Sequence, residues 1–149
     1  MFAADPARTV AAIRRILRPG GRYAVSVWGP RAANPWLSTM FEVVVRPGEQ
    51  PPPVGPFALA DAHRFAELFR AAGLTVTLEE VPVPLREDSF EAWWERTTAM
   101  AGPLRAAFAA MSLEAVARTR ELLRERVAPY VVGSGLEFPG LALLASGSA

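Results

Sequence analysis

The sequence predicts an α/β fold, and three observations lead to this prediction. Helical and strand-like segments follow one another as helix, strand, helix, helix, strand, helices and strand, an order typical of a sheet with helices on its faces. The strand at residues 23–28 has no charged side chain on either face, which is typical of a parallel strand covered on both sides. In the strand at residues 75–85, Pro82 and Pro84 remove two N–H groups from the same side, which places this strand at a sheet edge.

The first helix begins near the N-terminus and leads into the first strand. Asp5 is a good N-cap and Pro6 suits the first helical position. Pro19-Gly20-Gly21 then ends the helix. The apolar residues between these signals recur at helical spacing and comprise Val10, Ile13, Ile16 and Leu17.

Two more helices are predicted between the first two strands. Asn34-Pro35 begins one of them, and Asp61 and Gly73 cap and close the other. Residues 46–56 hold five prolines, which predicts a stiff loop with local polyproline character. Binding of this loop by a proline-recognising domain is the less favoured interpretation, because Pro-rich loops are common.

The rest of the chain is predicted to be mainly helical and to end in a strand. The apolar parity of the strand at residues 75–85 changes halfway, which predicts a bulge near Glu79–Glu80. Residues 88–128 read as helices, broken once and capped again at Ser112. The tail at residues 136–147, LEFPGLALLASG, reads as one last strand with a Pro-Gly irregularity.

Composition excludes several kinds of chemistry. The formal net charge is only +1, so bulk electrostatics predict neither a nucleic-acid nor a membrane partner. There is no cysteine, and all 16 basic residues are arginines, which excludes disulfides, thiolate metal sites, a cysteine nucleophile and a lysine Schiff base. No apolar run is long enough for a membrane span and the N-terminus does not resemble a signal peptide. We therefore expect a cytoplasmic protein whose 149 residues form a single domain.

Three stretches of the chain together carry a family resemblance. Residues 1–29, MFAADPARTVAAIRRILRPGGRYAVSVWG, combine a Met-Phe-x-x-Asp-Pro segment, a Leu-Arg-Pro-Gly-Gly turn and a strand. Residues 57–74, FALADAHRFAELFRAAGL, and the tail complete the pattern. In these features the chain resembles the C-terminal half of the class I S-adenosylmethionine-dependent methyltransferases that act on small molecules (type 11-like). The Leu-Arg-Pro-Gly-Gly turn is the most specific of them.

The resemblance implies a partial Rossmann-like sheet made of the last three strands of that family. The strand at 75–85 would lie at the outer edge, and the tail strand would run antiparallel between it and the strand at 23–28. Residues 88–132 would form a helical insertion of the kind that often covers the methyl acceptor. S-adenosylmethionine would be the cofactor of the complete protein.

The segments that hold the cofactor in proteins of this family have no counterpart in this sequence. There is no glycine-rich loop between a strand and a helix, and no acidic residue at the end of a following strand. Gly133-Ser134-Gly135 follows a helix and precedes a strand, so a simple turn is the favoured interpretation. We therefore expect that this chain alone does not bind S-adenosylmethionine. Three explanations for the missing cofactor-binding half remain open. In order of preference they are a mis-chosen start codon or a cloned fragment, a gene truncated in evolution, and a split enzyme whose N-terminal half is another chain.

Five residues are candidates for the site, none of them catalytic and none a metal ligand. Phe2 is the candidate for cofactor contact, with a frayed terminus as the alternative. Trp28, at the end of a strand, is a candidate for substrate contact, although a core tryptophan is equally favoured. The further candidates for substrate contact are Trp36, Trp93 and Trp94. Because adjacent helical residues point about 100° apart, at most one of Trp93 and Trp94 is expected to point fully inward.

We expect this chain to have one of two functions and to associate with further copies of itself. The first function is the substrate-side portion of a methyltransferase acting on a small organic acceptor. The second is a non-catalytic remnant of that fold that forms homo-oligomers or binds a small ligand. A strand at 23–28 without its neighbour would leave an open sheet edge, so we expect a homodimer or a swapped oligomer. His63, the only histidine, is expected to be a solvated surface residue.

Overall fold

The computed structural model describes residues 1–44, 54–100 and 102–149. Most of the predicted proline-rich loop at 46–56 therefore lies outside the described residues. Six α-helices are described, namely α1 (Pro6–Ile16), α2 (Pro35–Val44), α3 (Ala62–Ala71), α4 (Phe90–Met100), α5 (Gly102–Ala109) and α6 (Leu113–Val127), together with short 3-10 helices at Arg31–Ala33 and Ala128–Tyr130. The described strands are β1 (Arg22–Trp28), β2 (Thr77–Pro82), β3 (Leu85–Glu87), β4 (Val131–Val132), β5 (Gly135–Phe138) and β6 (Leu141–Ser148).

The predicted capping residues start their helices. Backbone N–H groups donate to the side chain of Asp5 at 3.0 Å, to that of Asp61 at 2.7 Å and to that of Ser112 at 3.2 Å. Each bond satisfies one of the N–H groups that a helix start leaves without an intrahelical partner. Gly73 closes α3 with a φ of +75°, a conformation that glycine adopts without strain.

The described residues cluster into two compact units. The first contains α1, β1, α3, β2 and β6, and the second contains α2, β3, α4, α5, α6, β4 and β5. The single-domain organisation of residues 1–149 stays a prediction.

The sheet of the first unit has the order β1-β6-β2, and β6 is antiparallel to both neighbours. This order and the edge position of β2 confirm the predicted arrangement of these three strands. The single predicted strand at 75–85 is wrong, because β2 ends at Pro82 and Leu85 begins β3 of another sheet. The predicted bulge near Glu79–Glu80 is wrong, because the register with β6 is one-to-one from Thr77 to Pro82. The single predicted tail strand is also wrong. Pro139-Gly140 separates β5 and β6, which belong to different sheets.

Helices α1 and α3 of the first unit pack on one face of its sheet. Tyr23 and Val27 of β1 are buried in a core with Phe65 and Phe69 of α3 and other apolar residues. The Tyr23 and Phe69 rings stack at 4.9 Å, and the Tyr23 hydroxyl donates to the Thr75 carbonyl at 2.7 Å.

The opposite face of β1 corrects a prediction. Ala24 and Ser26 lie on that face and both are exposed. In this unit the strand is therefore not covered on both sides.

The second unit combines the predicted helices with three short strands. Strand β3 begins at the end of the predicted strand at 75–85, β5 covers the start of the predicted tail strand, and β4 was not predicted. Strands β3, β5 and β4 form an antiparallel sheet in that order, so residues 88–132 are not purely helical. Gly133, with a φ of +62°, and Ser134 make the two-residue turn between β4 and β5. The core of this unit contains Trp36, Trp93, Leu123, Leu136 and Phe138.

We expect Gly147→Ala to destabilise the first unit. A Cβ at Gly147 would lie 2.0 Å from the carbonyl oxygen of Thr75, so the chain near the start of β2 would have to move away from β6. Steric strain of this kind costs about 1–3 kcal/mol or more. Gly102→Ala is the matched control, because a Cβ there meets no atom within 4 Å. Urea unfolding measures both, and an unchanged midpoint for Gly147→Ala would contradict the close approach.

Candidate functional site

A cavity of about 190 Å³ lies in the first unit between α1, β1 and α3. Phe2, the predicted cofactor contact, lines this cavity and is 65% exposed. Trp28 is half-buried on the face of β1 opposite to α1 and α3 and is not part of the cavity wall. The structure therefore does not bring these two candidates together in one pocket. The other wall residues are Met1, Ala3, Pro6, Thr9, Val10, Ile13, Val25, Ser26, Val27, Leu59, Phe65, Leu68 and Phe69.

The cavity wall is apolar and offers few polar groups. Among the residues that line it, only Thr9 and Ser26 have polar side chains, and the side chain of Ser26 lies on the opposite face of β1. The Thr9 hydroxyl already donates to the Asp5 carbonyl at 3.0 Å. Such a wall suits an uncharged apolar group, because a charged group buried there would lack a partner.

Trp36 and Trp93, two predicted substrate contacts, meet inside the second unit. Trp93 is fully buried and Trp36 is 2% exposed. The Trp93 indole N–H donates to the Trp36 carbonyl at 2.8 Å, and the Trp36 indole N–H donates to Asn34 Oδ1 at 3.3 Å. The Trp93 ring also packs 5.5 Å from those of Phe90 and Phe138. In this arrangement both tryptophans are core residues.

Trp94 occupies a different environment in the same unit. It is half-buried, and its ring lies 4.8 Å from that of Phe108. The two rings line an open groove of about 410 Å³ together with Glu95, Thr98, Ala99 and Arg105. One tryptophan of the adjacent pair thus points inward and the other outward, as the helical spacing predicts.

An arginine cluster beside Trp94 is missing from the sequence-based prediction. Arg120 lies over the Trp94 ring at 5.7 Å, Arg124 lies over the Phe90 ring at 4.3 Å, and both arginines pair with Glu91. The Glu91 pKa lies below its ordinary value because of a backbone hydrogen bond at the start of α4 and then because of Arg124. Only the spacing of Arg120 and Arg124, one helical turn apart, hints at this cluster in the sequence.

His63 and the acidic residues do not form a further candidate site within the described residues. His63 is exposed in the first turn of α3, as expected. In the described ranges, His, Asp and Glu side chains do not gather in groups of three that could hold a metal ion. No helix within the described part of the chain is both long and apolar enough to cross a membrane.

The comparisons with known proteins include a match to a solved structure. No family model and no curated protein matches the chain. A crystal structure described as "a putative methyltransferase" from Bacillus halodurans C-125 matches with 16% sequence identity and a TM-score of 0.46. The match covers 97% of this chain and 58% of that one. The chain thus spans little more than half the length of that protein.

Proposed function

We propose that the chain is the C-terminal, substrate-side portion of an S-adenosylmethionine-dependent methyltransferase that acts on a small organic molecule. The observation that carries the proposal is the sheet order β1-β6-β2 with β6 antiparallel. The resemblance of residues 1–29, residues 57–74 and the tail implies this same order. The cytoplasmic location expected from the cysteine-free composition belongs to the same proposal.

The described residues do not fit the cofactor on their own. S-adenosylmethionine carries a cationic sulfonium, an amino-acid group and ribose hydroxyls, which need charged and hydrogen-bonding partners. The residues that line the cavity beside Phe2 include no Asp or Glu, and only Thr9 and Ser26 among them have polar side chains. In the proposed enzyme, the cofactor-binding half therefore comes from polypeptide outside residues 1–149.

This chain would contribute alignment and exclusion of water. Methyl transfer from a sulfonium is an in-line displacement, which depends on positioning the two reactants. Trp28 lies at the carboxyl end of β1, where ligands of α/β sheets bind, and Trp94 borders an open groove. We propose each of them separately, Trp28 in the first unit and Trp94 in the second, as a candidate for contact with the methyl acceptor. Within the second unit, Trp36 and Trp93 would support Trp94 from the core.

A second candidate function has an observation of its own. The apolar cavity in the first unit, about 190 Å³, exceeds the roughly 150 Å³ of an engineered apolar cavity that binds benzene. A non-catalytic remnant could therefore bind a small apolar ligand there. In this alternative a second copy of the chain would cover the open edge of β1 and form the expected homodimer or swapped oligomer.

Calorimetric titration with S-adenosylhomocysteine tests the two candidates. We expect no binding to the 149-residue chain and saturable binding to the protein purified from the cells that make it. Benzene serves as the probe for the cavity. If both preparations bind benzene and neither binds S-adenosylhomocysteine, the methyltransferase proposal is contradicted and the non-catalytic remnant is favoured.

A further inference from the structure

The groove beside Trp94 lies between two helices of the second unit. Its lining residues come from α4 and α5 and are Trp94, Glu95, Thr98, Ala99, Arg105 and Phe108. Its volume of about 410 Å³ falls within the range of roughly 300–1,000 Å³ that small-molecule sites occupy. The groove is therefore large enough to hold a small organic ligand.

Aromatic rings form the apolar part of this groove. The rings of Trp94 and Phe108 lie 4.8 Å apart, with their planes inclined by 57°, and both residues are only half-buried. Thr98 and Ala99 of α4 have short side chains, which leave space between the two helices. Because aromatic rings favour offset or edge-on contact with a further ring, this part of the groove suits a ligand that contains an aromatic ring.

Two charges of opposite sign lie on the two helices of the groove. Glu95 belongs to α4 and Arg105 to α5, and both are exposed. Neither of them takes part in the ion pairs found among the described residues. The arginines next to Trp94 differ, because Arg120 and Arg124 both pair with Glu91. Within the described part of the chain, the groove thus offers a ligand one carboxylate and one guanidinium that no other side chain neutralises.

Only a ligand that carries both charges uses both of these groups. A cation is attracted by Glu95 but repelled by Arg105, and an anion meets the reverse combination. A zwitterion pairs its ammonium group with Glu95 and its carboxylate with Arg105, whose guanidinium can donate two parallel hydrogen bonds to a carboxylate. The charges of the groove therefore favour a zwitterion over a ligand of either single charge.

We propose that the groove between α4 and α5 binds a small aromatic zwitterion, with its ring against Trp94 and Phe108 and its charged groups on Glu95 and Arg105. An aromatic amino acid is the simplest molecule of this class. The inference rests on the proposed function in one respect, because it names the chemical class of the methyl acceptor that Trp94 would contact.

NMR titration of the isotope-labelled 149-residue chain tests the inference with three probes. Phenylalanine carries both charged groups, phenethylamine lacks the carboxylate and hydrocinnamate lacks the ammonium group, while the ring is the same in all three. We expect phenylalanine to shift the indole N–H signal of Trp94 and the backbone N–H signals of Thr98 and Ala99 until the groove is saturated. Each of the other probes should bind about fivefold more weakly, which is the largest usual contribution of one exposed ion pair.

Two variants and a matched control assign the two charged contacts. Arg105→Gln should weaken phenylalanine binding about fivefold and leave phenethylamine binding no weaker. Glu95→Gln should weaken phenylalanine binding to the same extent and leave hydrocinnamate binding no weaker. Arg118→Gln removes an exposed arginine that pairs with Glu114 outside the groove, and it should change none of the three affinities. A variant that only disturbs the fold would weaken the binding of all three probes.

Two results would overturn the inference. The first is an unchanged indole signal of Trp94 when the folded wild-type chain is titrated with phenylalanine up to its limit of solubility. The second is an equal affinity for the three probes, because the groove would then bind the ring alone.

Failure of this inference and failure of the proposed function give different results. A longer native protein that binds S-adenosylhomocysteine, but whose Trp94 signal does not respond to phenylalanine, would overturn the inference and leave the proposed function intact. If the 149-residue chain binds phenylalanine through Glu95 and Arg105 and no preparation binds S-adenosylhomocysteine, the proposed function is contradicted. The groove would then be a binding site for such zwitterions without a role in methyl transfer.

Discussion

Replacing Trp93 by alanine is expected to destabilise the second unit by about 3–5 kcal/mol, the usual cost of truncating a buried aromatic residue. Trp93 is fully buried and packs between Phe90 and Phe138. The variant would also leave the buried Trp36 carbonyl without the indole N–H that it accepts at 2.8 Å. Because whole domains are stable by only about 5–15 kcal/mol, we expect much of this unit to be unfolded. Urea unfolding followed by circular dichroism measures the loss.

Two other variants separate the contributions to this effect. Trp93→Phe keeps a ring but removes the hydrogen bond, so about 1–3 kcal/mol should be lost. Trp94→Ala, at the half-buried neighbour, should cost less than Trp93→Ala. If Trp93→Ala unfolds at the wild-type urea concentration, Trp93 is not a core residue, and its predicted role in substrate contact becomes the better explanation.

Replacing Phe69 by alanine is expected to destabilise the first unit by a similar amount, about 3–5 kcal/mol. Phe69 is fully buried, stacks on Tyr23 at 4.9 Å and meets Phe65 edge-on at 5.4 Å. It also forms part of the cavity wall, so the truncation would enlarge a space that is already poorly filled. Hydrogen exchange of the β1 and β6 amides reports on this unit specifically.

Leu68→Ala is the matched control for Phe69→Ala. Leu68 is adjacent, lines the same cavity and is only half-buried, so it should cost clearly less. Equal losses for the two variants would contradict the account in which the Tyr23–Phe69 stack holds α3 against the sheet.

The sequence predicts well where the signal is local. Asp5, Asp61 and Ser112 cap their helices because a capping bond spans only three residues. Pro82 indicates a sheet edge because its missing N–H prevents hydrogen bonding to a neighbouring strand on one side. The order β1-β6-β2 followed from the family resemblance and agrees with the edge position that the prolines predict.

Features that depend on contacts between residues distant in sequence could not be predicted, for physical reasons. The change of apolar parity around Glu79 and Glu80 suggested a bulge. Both residues are exposed on an edge strand, where burial does not enforce a strict alternation of apolar and polar side chains. Strands β3, β4 and β5 have two to four residues each, too few to show a period of two. Helical spacing showed that only one of Trp93 and Trp94 could point inward. It could not show which, because partners such as Phe138 are distant in sequence.

The intact mass of the protein, isolated from the cells that make it, tests whether residues 1–149 are part of a longer methyltransferase. We expect a mass above the 16.1 kDa of residues 1–149, larger by about a hundred residues, which is the size of a cofactor-binding half built from βαβ units of about 30 residues or more. A native mass of 16.1 kDa in a protein that has no partner chain and does not bind S-adenosylhomocysteine would contradict the account.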